Sequence, residues 1–231
     1  MIERMYTKGG YFQKHPTWHV EDSAWKARQI LRIIEKNHVQ PKSVCEVGCG
    51  AGEILSQLYQ HMPEDVCFVG YEISPQAFEL CQSRKRDRLR FHLGDLLQDD
   101  EAGFDLVLAI DVVEHVEDCY GFLRALRHKG DRKIFHIPLD LSALRVAQNF
   151  PMLQRQAHGH IHYFQKETAL AALADTGYQV LDYSYTPVIM DFGRRGLKPS
   201  LGRLARRIVY RLNADTAVRL LGGYSLMVLA K

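Results

Sequence analysis

The first stretch whose residue types indicate chemistry is a run of three alternating glycines, Gly48, Gly50 and Gly52, directly after the apolar segment Ser43–Val47. Such glycines permit a tight turn and let backbone N–H groups approach a ligand closely. A helix that begins just after the turn adds the positive end of its dipole. Since α/β domains hold nucleotide-type ligands at strand-to-helix turns, we predict a ligand site here.

Three acidic residues follow the ends of predicted strands: Glu72, Asp95 and Asp111. The carboxyl ends of parallel strands line one crevice, so we expect these acids to contribute to the same site as the glycines. Glu72 ends the second predicted strand, a position suited to accept hydrogen bonds from ribose hydroxyls.

The glycine spacing distinguishes between ligand classes. A dinucleotide fingerprint, Gly-x-Gly-x-x-Gly, would need a glycine at the position held by Glu53, which disfavours a nicotinamide dehydrogenase. Glu46 places negative charge at the turn, which is unfavourable for a pyrophosphate and favourable for an ammonium or sulfonium group. No Gly-Lys-Ser/Thr follows, so a P-loop nucleoside triphosphatase is excluded.

A second group of candidates lies just after the fourth predicted strand. Asp111, Glu114 and His115 stand at i, i+3 and i+4, which are neighbours on a helix and could hold a metal ion. Acids in a first helical turn are also explained by the helix dipole, so we assign no metal ligand. His115 is either a general base or a capping histidine.

Three further histidines, His158, His160 and His162, alternate along the chain. In an extended segment they would point the same way and could form a metal cluster or a substrate wall. The alternative is a polar loop over the crevice. We expect His160 or His162 to face the substrate.

The elements that must position these residues alternate between strand and helix five times, which predicts a parallel sheet with helices on both faces. Two late strands, 178–185 and 223–230, suit an antiparallel hairpin. We predict the strands 43–47, 66–71, 89–93, 104–110 and 133–137, and the helices 21–36, 53–61, one opening at Pro75, 119–128, 166–175 and about 201–212.

The segment around residues 194–211 is strongly basic. Its amphipathic spacing of Leu201, Leu204, Ile208 and Leu212 predicts a helix that packs on the protein's own core. Peripheral contact with a membrane surface, or binding of an anionic substrate, is the alternative. The basic residues are Arg194, Arg195, Lys198, Arg203, Arg206, Arg207 and Arg211.

Composition sets broad limits on the function. The 231 residues, 46% of them hydrophobic, are sufficient for one core, and the net charge of +3 gives no indication of nucleic-acid binding. The five cysteines form neither a Cys-x-x-Cys pair nor a zinc pattern, so we expect reduced, mostly buried thiols in a cytoplasmic protein. We find no signal peptide and no apolar run of the roughly 20 residues that span a bilayer.

Four motifs, in order between Ser43 and Pro138, resemble those of the class I S-adenosylmethionine-dependent methyltransferases. Glu46-Val-Gly48-Cys-Gly50-Ala-Gly52 is similar to their first motif, and Glu72 to their ribose-binding acid. Gly94-Asp95-Leu96 is similar to the third motif, and Phe104 to Val116 to the fourth. Asp111-Val-Val-Glu114-His115 and His162-Tyr163-Phe164 most resemble the small-molecule branch, such as ubiquinone-biosynthesis O-methyltransferases.

The resemblance implies a Rossmann-like three-layer α/β sandwich with a seven-stranded, mostly parallel sheet whose last strand is antiparallel. It implies one methyltransferase domain over 1–231, with an N-terminal cap at 1–40 and substrate-side insertions at 139–164 and 187–222. The implied cofactor is S-adenosylmethionine, with S-adenosylhomocysteine as product. Its predicted contacts are Glu46, Gly48, Gly50, Gly52, Glu72, Ile73, Asp95, Leu96 and Asp111, with Tyr11 and Trp18 from the cap.

We therefore predict methyl transfer to a small molecule, most simply to a hydroxyl oxygen, with His115, Asp111 and His160 as catalytic residues. In an in-line displacement from a sulfonium the protein mainly aligns the reactants and excludes water, and a base is needed for a weakly acidic hydroxyl. The alternatives are a sugar or lipid-linked glycan acceptor, or a non-catalytic cofactor-binding scaffold. Amino-methylation of DNA bases is disfavoured, because no Asn-Pro-Pro-Tyr motif is present.

Overall fold

The computed structural model describes residues 10–100, 103–187 and 206–231, and these residues build one seven-stranded sheet covered by helices. The strands are β1 (Ser43–Val47), β2 (Cys67–Glu72), β3 (Leu89–Leu93), β4 (Phe104–Ile110), β5 (Gly130–Pro138), β6 (Val180–Thr186) and β7 (Ser225–Ala230). The helices are α1 (Gly10–Lys14), α2 (Val20–Lys36), α3 (Glu53–His61), α4 (Pro75–Gln82), α5 (Cys119–Leu126), α6 (Ala143–Ala147), α7 (Phe150–His158), α8 (Lys166–Asp175), α9 (206–212) and α10 (Ala214–Leu221).

The strand order β3-β2-β1-β4-β5-β7-β6 confirms the predicted sheet. β1 pairs in parallel with both β2 and β4, so the order reverses between β1 and β4. β7 lies between β5 and β6 and is antiparallel to both, which confirms the antiparallel last strand and the β6–β7 hairpin. Ligands in open α/β sheets bind at such a reversal, outside the carboxyl ends of the strands.

The helices form one layer on each face of the sheet, and apolar side chains pack between the sheet and each layer. On one face, Ile30 of α2 and Leu55 of α3 are fully buried against strand residues such as Leu106. On the other face, Leu123 of α5 and Leu173 of α8 pack in a second cluster. These helices therefore fix the strand ends, and with them the loops that carry the candidate site.

The late part of the chain differs from the prediction. The described part of the predicted helix 201–212, residues 206–212, is helical, but Ile208 is 52% and Leu212 is 81% exposed. The expected packing of this apolar stripe on the core is therefore wrong for its described members. A further helix, α10, follows at once, capped by the Asn213 side chain, which accepts from the N–H of Thr216. Leu201, Leu204, Arg194, Arg195, Lys198 and Arg203 lie outside the described residues.

The structure bears on the expected state of the cysteines and on membrane-spanning segments. All five cysteines are free, and four of them are buried, with Cys67 the exposed one. In the three stretches that the structure describes, no helix combines the length and the hydrophobicity that crossing a membrane requires.

Candidate functional site

A cavity of about 820 Å³ opens at the carboxyl ends of β1 and β4, where the strand order reverses. The N-terminal segment and α7 form its outer wall. Most of the predicted site residues line it: Tyr11, Trp18, Glu46, Gly48, Gly50, Glu72, Ile73, Asp95, Asp111, His115 and His160. Residues from β1, β2, β4 and the two flanking segments, distant in sequence, therefore meet in one site.

The glycine turn adopts a backbone that side chains would obstruct. Gly50 has a φ of +56°, and a Cβ atom there would lie 2.5 Å from Cδ1 of Trp18. Gly52, the residue before α3, has a φ of +75° and packs against the Phe91 ring. Gly50 therefore permits the close approach of Trp18, while Gly52 begins the helix and does not itself line the cavity.

The Glu72 carboxyl holds this turn through hydrogen bonds to the backbone. Its Oε2 accepts a hydrogen bond from the backbone N–H of Gly50 at 2.8 Å, and its Oε1 accepts one from the N–H of Ser74 at 2.8 Å. Burial raises the pKa of Glu72 to about 7, even though the hydrogen bonds from Ser74 and Gly50 oppose that rise. The carboxyl is thus poised between its two protonation states near neutral pH.

Glu46 is the second buried acid of the turn. It is 2% exposed, and its Oε2 has no hydrogen-bond partner among the described residues. Burial raises its pKa well above the usual range, and the neighbouring Lys26 only partly offsets this effect. The negative charge that the sequence suggested is therefore suppressed here, and a cationic ligand that donates a hydrogen bond would restore it.

Lys26, on α2, reaches across the cavity to Asp111, the residue that follows β4. Its Nζ lies 2.8 Å from Oδ2 of Asp111 and 3.0 Å from Oδ2 of Asp22. The other oxygen of Asp111 accepts a hydrogen bond from Nδ1 of His136 at 2.6 Å. Burial alone would raise the pKa of Asp111, but His136 and Lys26 outweigh it and hold that pKa far below its usual range.

Asp111 is therefore a permanently ionised, doubly paired group. A carboxylate with such a low pKa is a very weak base, which disfavours proton transfer to Asp111, and its catalytic role stays a prediction. Its backbone φ of +54° is uncommon for a residue other than glycine and stores strain at the site.

Glu114, His115 and His160 form a compact group at the other end of the cavity. One donor atom from each lies within 4.8 Å of the others. Glu114 is 1% exposed, and neither of its carboxyl oxygens accepts a hydrogen bond from any described residue. Burial, then the charge of Asp111, raises the pKa of Glu114 well above its usual range. Such an orphaned carboxyl between two imidazoles is a donor set that suits a divalent metal ion.

The two imidazoles are held by different partners. Nδ1 of His160 lies 2.7 Å from Oδ2 of the buried Asp140, and Nδ1 of His115 lies 3.3 Å from the carbonyl of Gly159. Burial and the nearby His160 lower the pKa of His115 to about 3. His115 is therefore neutral at physiological pH and can act as a ligand, but alone it is a weak general base.

The N-terminal segment covers the glycine turn. Tyr11 is buried, and its hydroxyl lies 2.9 Å from Nε2 of His19. The rings of Tyr11 and Trp18 meet edge to face at 5.0 Å. The predicted cap residues thus pack on each other as well as over the cavity.

Some predicted residues lie elsewhere. Leu96 is fully buried and does not line the cavity, whereas Leu97 does. Nε2 of His162 is bonded to the carbonyl of Val116 at 2.8 Å and does not line the cavity either. Since α7 is helical as far as His158, the alternating histidines do not share one extended face.

Among the lining residues that the sequence did not predict are Lys26, His136, Asp140 and Arg145. For Lys26 one signal existed, because a lysine on the apolar side of an amphipathic helix needs a charged partner. The partners of His136 and Asp140 are set by tertiary contacts that no sequence spacing reveals.

Comparison with known proteins supplies the family. A model described as a methyltransferase domain matches residues 18–183. Ajmaline N-methyltransferase from Rauvolfia serpentina is 30% identical over 94 residues, which are 38% of this chain and 32% of that protein. The chain thus spans about a third of the length of this curated relative.

Solved structures share the fold. Magnesium protoporphyrin IX methyltransferase from Synechocystis PCC 6803, with bound S-adenosylhomocysteine, has a TM-score of 0.59 and 16% identity over 90% of this chain and 82% of that one. The N-methyltransferase NodS from Bradyrhizobium japonicum WM9 has a TM-score of 0.55 and 15% identity over 89% and 84%. The chain belongs to the methyltransferase domain family, within the class I S-adenosylmethionine-dependent methyltransferases.

Proposed function

We propose that this chain transfers the methyl group of S-adenosylmethionine to a hydroxyl oxygen of a small molecule. The observation that carries the choice of oxygen is the orphaned carboxyl of Glu114 beside the imidazoles of His115 and His160. A sulfonium methyl is already activated, so the acceptor is the partner that needs help, and a hydroxyl needs it most.

The cofactor end of the site is built from the glycine turn. Glu46 offers the methionine ammonium an unpaired buried oxygen, and Glu72 offers an acceptor to the ribose. Asp95 lines the cavity beyond Glu72, where the adenine would lie. Trp18, packed against Gly50, excludes water from the methionine end, which favours in-line displacement.

Lys26 has a separate role in this arrangement. It pairs with both Asp111 and Asp22 and lines the same cavity as the glycine turn, where its ammonium would also meet the methionine carboxylate. The rigid Lys26–Asp111–His136 chain then holds the floor of the cavity between the two ends.

The acceptor end fits a divalent cation. Glu114, His115 and His160 would hold it, and Asp140 would orient His160 from behind. A cation there would supply positive charge that lowers the pKa of an acceptor hydroxyl. The neutral His115 and the buried Glu114 are suited to this role, because a neutral imidazole can act as a ligand and a bound cation would satisfy the buried carboxyl.

The test is a methyl-transfer assay with labelled S-adenosylmethionine across phenols, catechols, sugars, carboxylates and amines. We expect an O-methylated product, loss of turnover in a chelator, and recovery with Mg²⁺, Mn²⁺ or Zn²⁺. Glu114→Gln should lower kcat by ~10²-fold or more, the usual size for removing charge stabilisation, with cofactor affinity unchanged.

The matched control is Glu79→Gln on the exposed face of α4, which should leave both quantities unchanged. Methylation of amines alone would replace oxygen by nitrogen as the acceptor. A product only from lipid-linked glycans would select that alternative, and cofactor binding without turnover on any acceptor would favour a scaffold.

A further inference from the structure

A second cluster of donors lies at the rim of the cavity, next to the Glu114 group, with the ring centroids of His158 and His160 6.0 Å apart. His15, His19 and His158 each place one ring nitrogen within 4.8 Å of the others. Their ring centroids are 4.6 Å apart for His15 and His19, 5.0 Å for His15 and His158, and 5.6 Å for His19 and His158. Three imidazoles from two distant parts of the chain therefore converge on one point.

The cluster joins two segments that frame the opening. His15 and His19 lie on either side of the turn between α1 and α2, and His158 is the last residue of α7. Trp18 and His19 both have left-handed backbones, with φ of +51° and +58°. Such a pair of residues other than glycine is uncommon, and each costs ~1–3 kcal/mol that a further interaction must offset.

The carboxyl end of α7 favours positive charge at this point. The carbonyl of Ala157 lies 3.1 Å from Nε2 of His15, and that of Gln156 accepts from Nζ of Lys14 at 3.3 Å. Carbonyls at the end of a helix carry partial negative charge. A hydrogen bond from an imidazole N–H to a carbonyl also fixes the orientation of the ring, as it does for metal-bound histidines.

We propose that His15, His19 and His158 bind a transition-metal ion of the Zn²⁺ type, which ties the N-terminal segment to α7 across the opening of the cavity. Three imidazoles without a carboxylate favour Zn²⁺, Ni²⁺ or Cu²⁺ over Mg²⁺ and Ca²⁺. All three side chains are half-buried, which leaves a position for water or for a group of the substrate. Occupancy would hold the cap closed over Trp18 and the glycine turn.

This site is chemically distinct from that of the proposed function, which uses Glu114 and two other histidines. The two can therefore be separated by titrating Zn²⁺ into the Glu114→Gln variant, whose inner site is disabled. We expect this variant to retain one equivalent of Zn²⁺, bound at the rim. Adding His19→Ala or His158→Ala should weaken that binding by at least ~100-fold, because loss of even an outer-shell partner costs 10–100-fold.

The control is His128→Ala, an exposed histidine far from the cluster in sequence, which should bind Zn²⁺ as Glu114→Gln does. His158→Asn serves as a second variant if the alanine change disturbs folding, and thermal unfolding in a chelator reports on folding directly. Hydrogen exchange provides a readout independent of turnover: Zn²⁺ should slow exchange in residues 10–20 of Glu114→Gln and not of its His158 variants. If the variants without His19 or His158 bind Zn²⁺ with the same affinity, the proposal is overturned, and the three imidazoles only pack against one another.

Discussion

Lys26 and Asp111 form an ion pair, with Nζ 2.8 Å from Oδ2, that joins the helix over the cavity to the end of the central strand β4. The Lys26 side chain is 12% exposed. Burial alone would lower its pKa, but Asp111 and Asp22 raise it, so the ammonium stays charged. The pair therefore fixes the position of α2, and with it the cap, relative to the sheet.

Replacing Lys26 should weaken both the fold and cofactor binding. Lys26→Met leaves Asp111 with His136 as its remaining partner and leaves Asp22 unpaired, which should lower the free energy of unfolding by ~2 kcal/mol. Affinity for S-adenosylmethionine should fall at least tenfold, since the cap loses its anchor. Urea denaturation and calorimetric titration measure the two effects.

The control for Lys26 is Lys36→Met at the other end of the same helix. Lys36 pairs with Asp182, but its side chain is 65% exposed. An exposed pair contributes at most ~1 kcal/mol, so stability should change little and cofactor affinity should not change. Equal effects of the two substitutions would show that the Lys26–Asp111 pair has no special role.

Gly50→Ala should disturb the cap through the turn. A left-handed backbone costs a residue with a Cβ about 1–2 kcal/mol, and the added methyl would collide with Trp18. We expect a loss of stability of that size, altered tryptophan fluorescence and weaker binding of S-adenosylmethionine. Gly94→Ala is the control, because nothing lies within 4 Å of its Cβ position. If Gly50→Ala binds the cofactor as tightly as the wild type does, Trp18 does not lie close to the cofactor.

The regular part of the fold could be predicted because its signals are local. β1, β3, β4, α3 and α8 occur at the predicted residues, since apolar runs there end at Gly, Asp or charged residues. β5 begins earlier than predicted, at Gly130, because its first three residues, Gly130, Asp131 and Arg132, show no apolar pattern although they belong to the strand that pairs with β4. The short helices α6 and α10 begin at side-chain caps, Ser142 and Asn213, and with five and eight residues they are too short for a helical period to stand out in the sequence.

The glycine turn and the acids at the strand ends, such as Glu72, could be predicted, because the residue type and its position in the sequence indicate the same role. The rest depends on contacts between distant segments. Asp111 resembles a catalytic acid in sequence, and its pairing with Lys26 and His136, which disfavours proton transfer, depends on contacts that no sequence spacing reveals. The sequence assigned no metal ligand, whereas Glu114 meets His160 only because the segment after α7 folds back across the cavity.

Glu72 should make cofactor binding depend on pH. Its pKa of about 7 lies above the ordinary 4.5, so its contribution to folding stability is complete below 4.5 and is lost as the pH rises to about 7. Ribose hydroxyls that donate to the carboxylate favour the ionised form, so binding should release about one proton at pH 6. Affinity for S-adenosylmethionine should then rise about tenfold between pH 6 and pH 8.

Calorimetric titration in two buffers of different ionisation enthalpy measures that proton directly. Glu72→Gln should bind weakly at every pH, because its amide also meets the N–H groups of Gly50 and Ser74, and it should release fewer protons than the wild type, because residue 72 no longer ionises. Glu79→Gln should keep the wild-type pH dependence. A flat affinity in the wild-type protein would show that Glu72 does not change protonation on binding.

Asp140 should act on the acceptor end through His160. Both side chains are buried, and Asp140 Oδ2 lies 2.7 Å from Nδ1 of His160. Asp140→Asn keeps the shape but removes the charge that accepts the Nδ1 proton and orients the ring. Metal affinity at the Glu114 site should fall about 10–100-fold, as for other outer-shell partners. Cofactor affinity should stay unchanged, because Asp140 lies away from the glycine turn. Asp131→Asn, on the exposed start of β5, is the matched control. If Asp140→Asn binds metal as the wild type does, packing alone orients His160, and the carboxylate–imidazole pair serves the fold instead of the reaction.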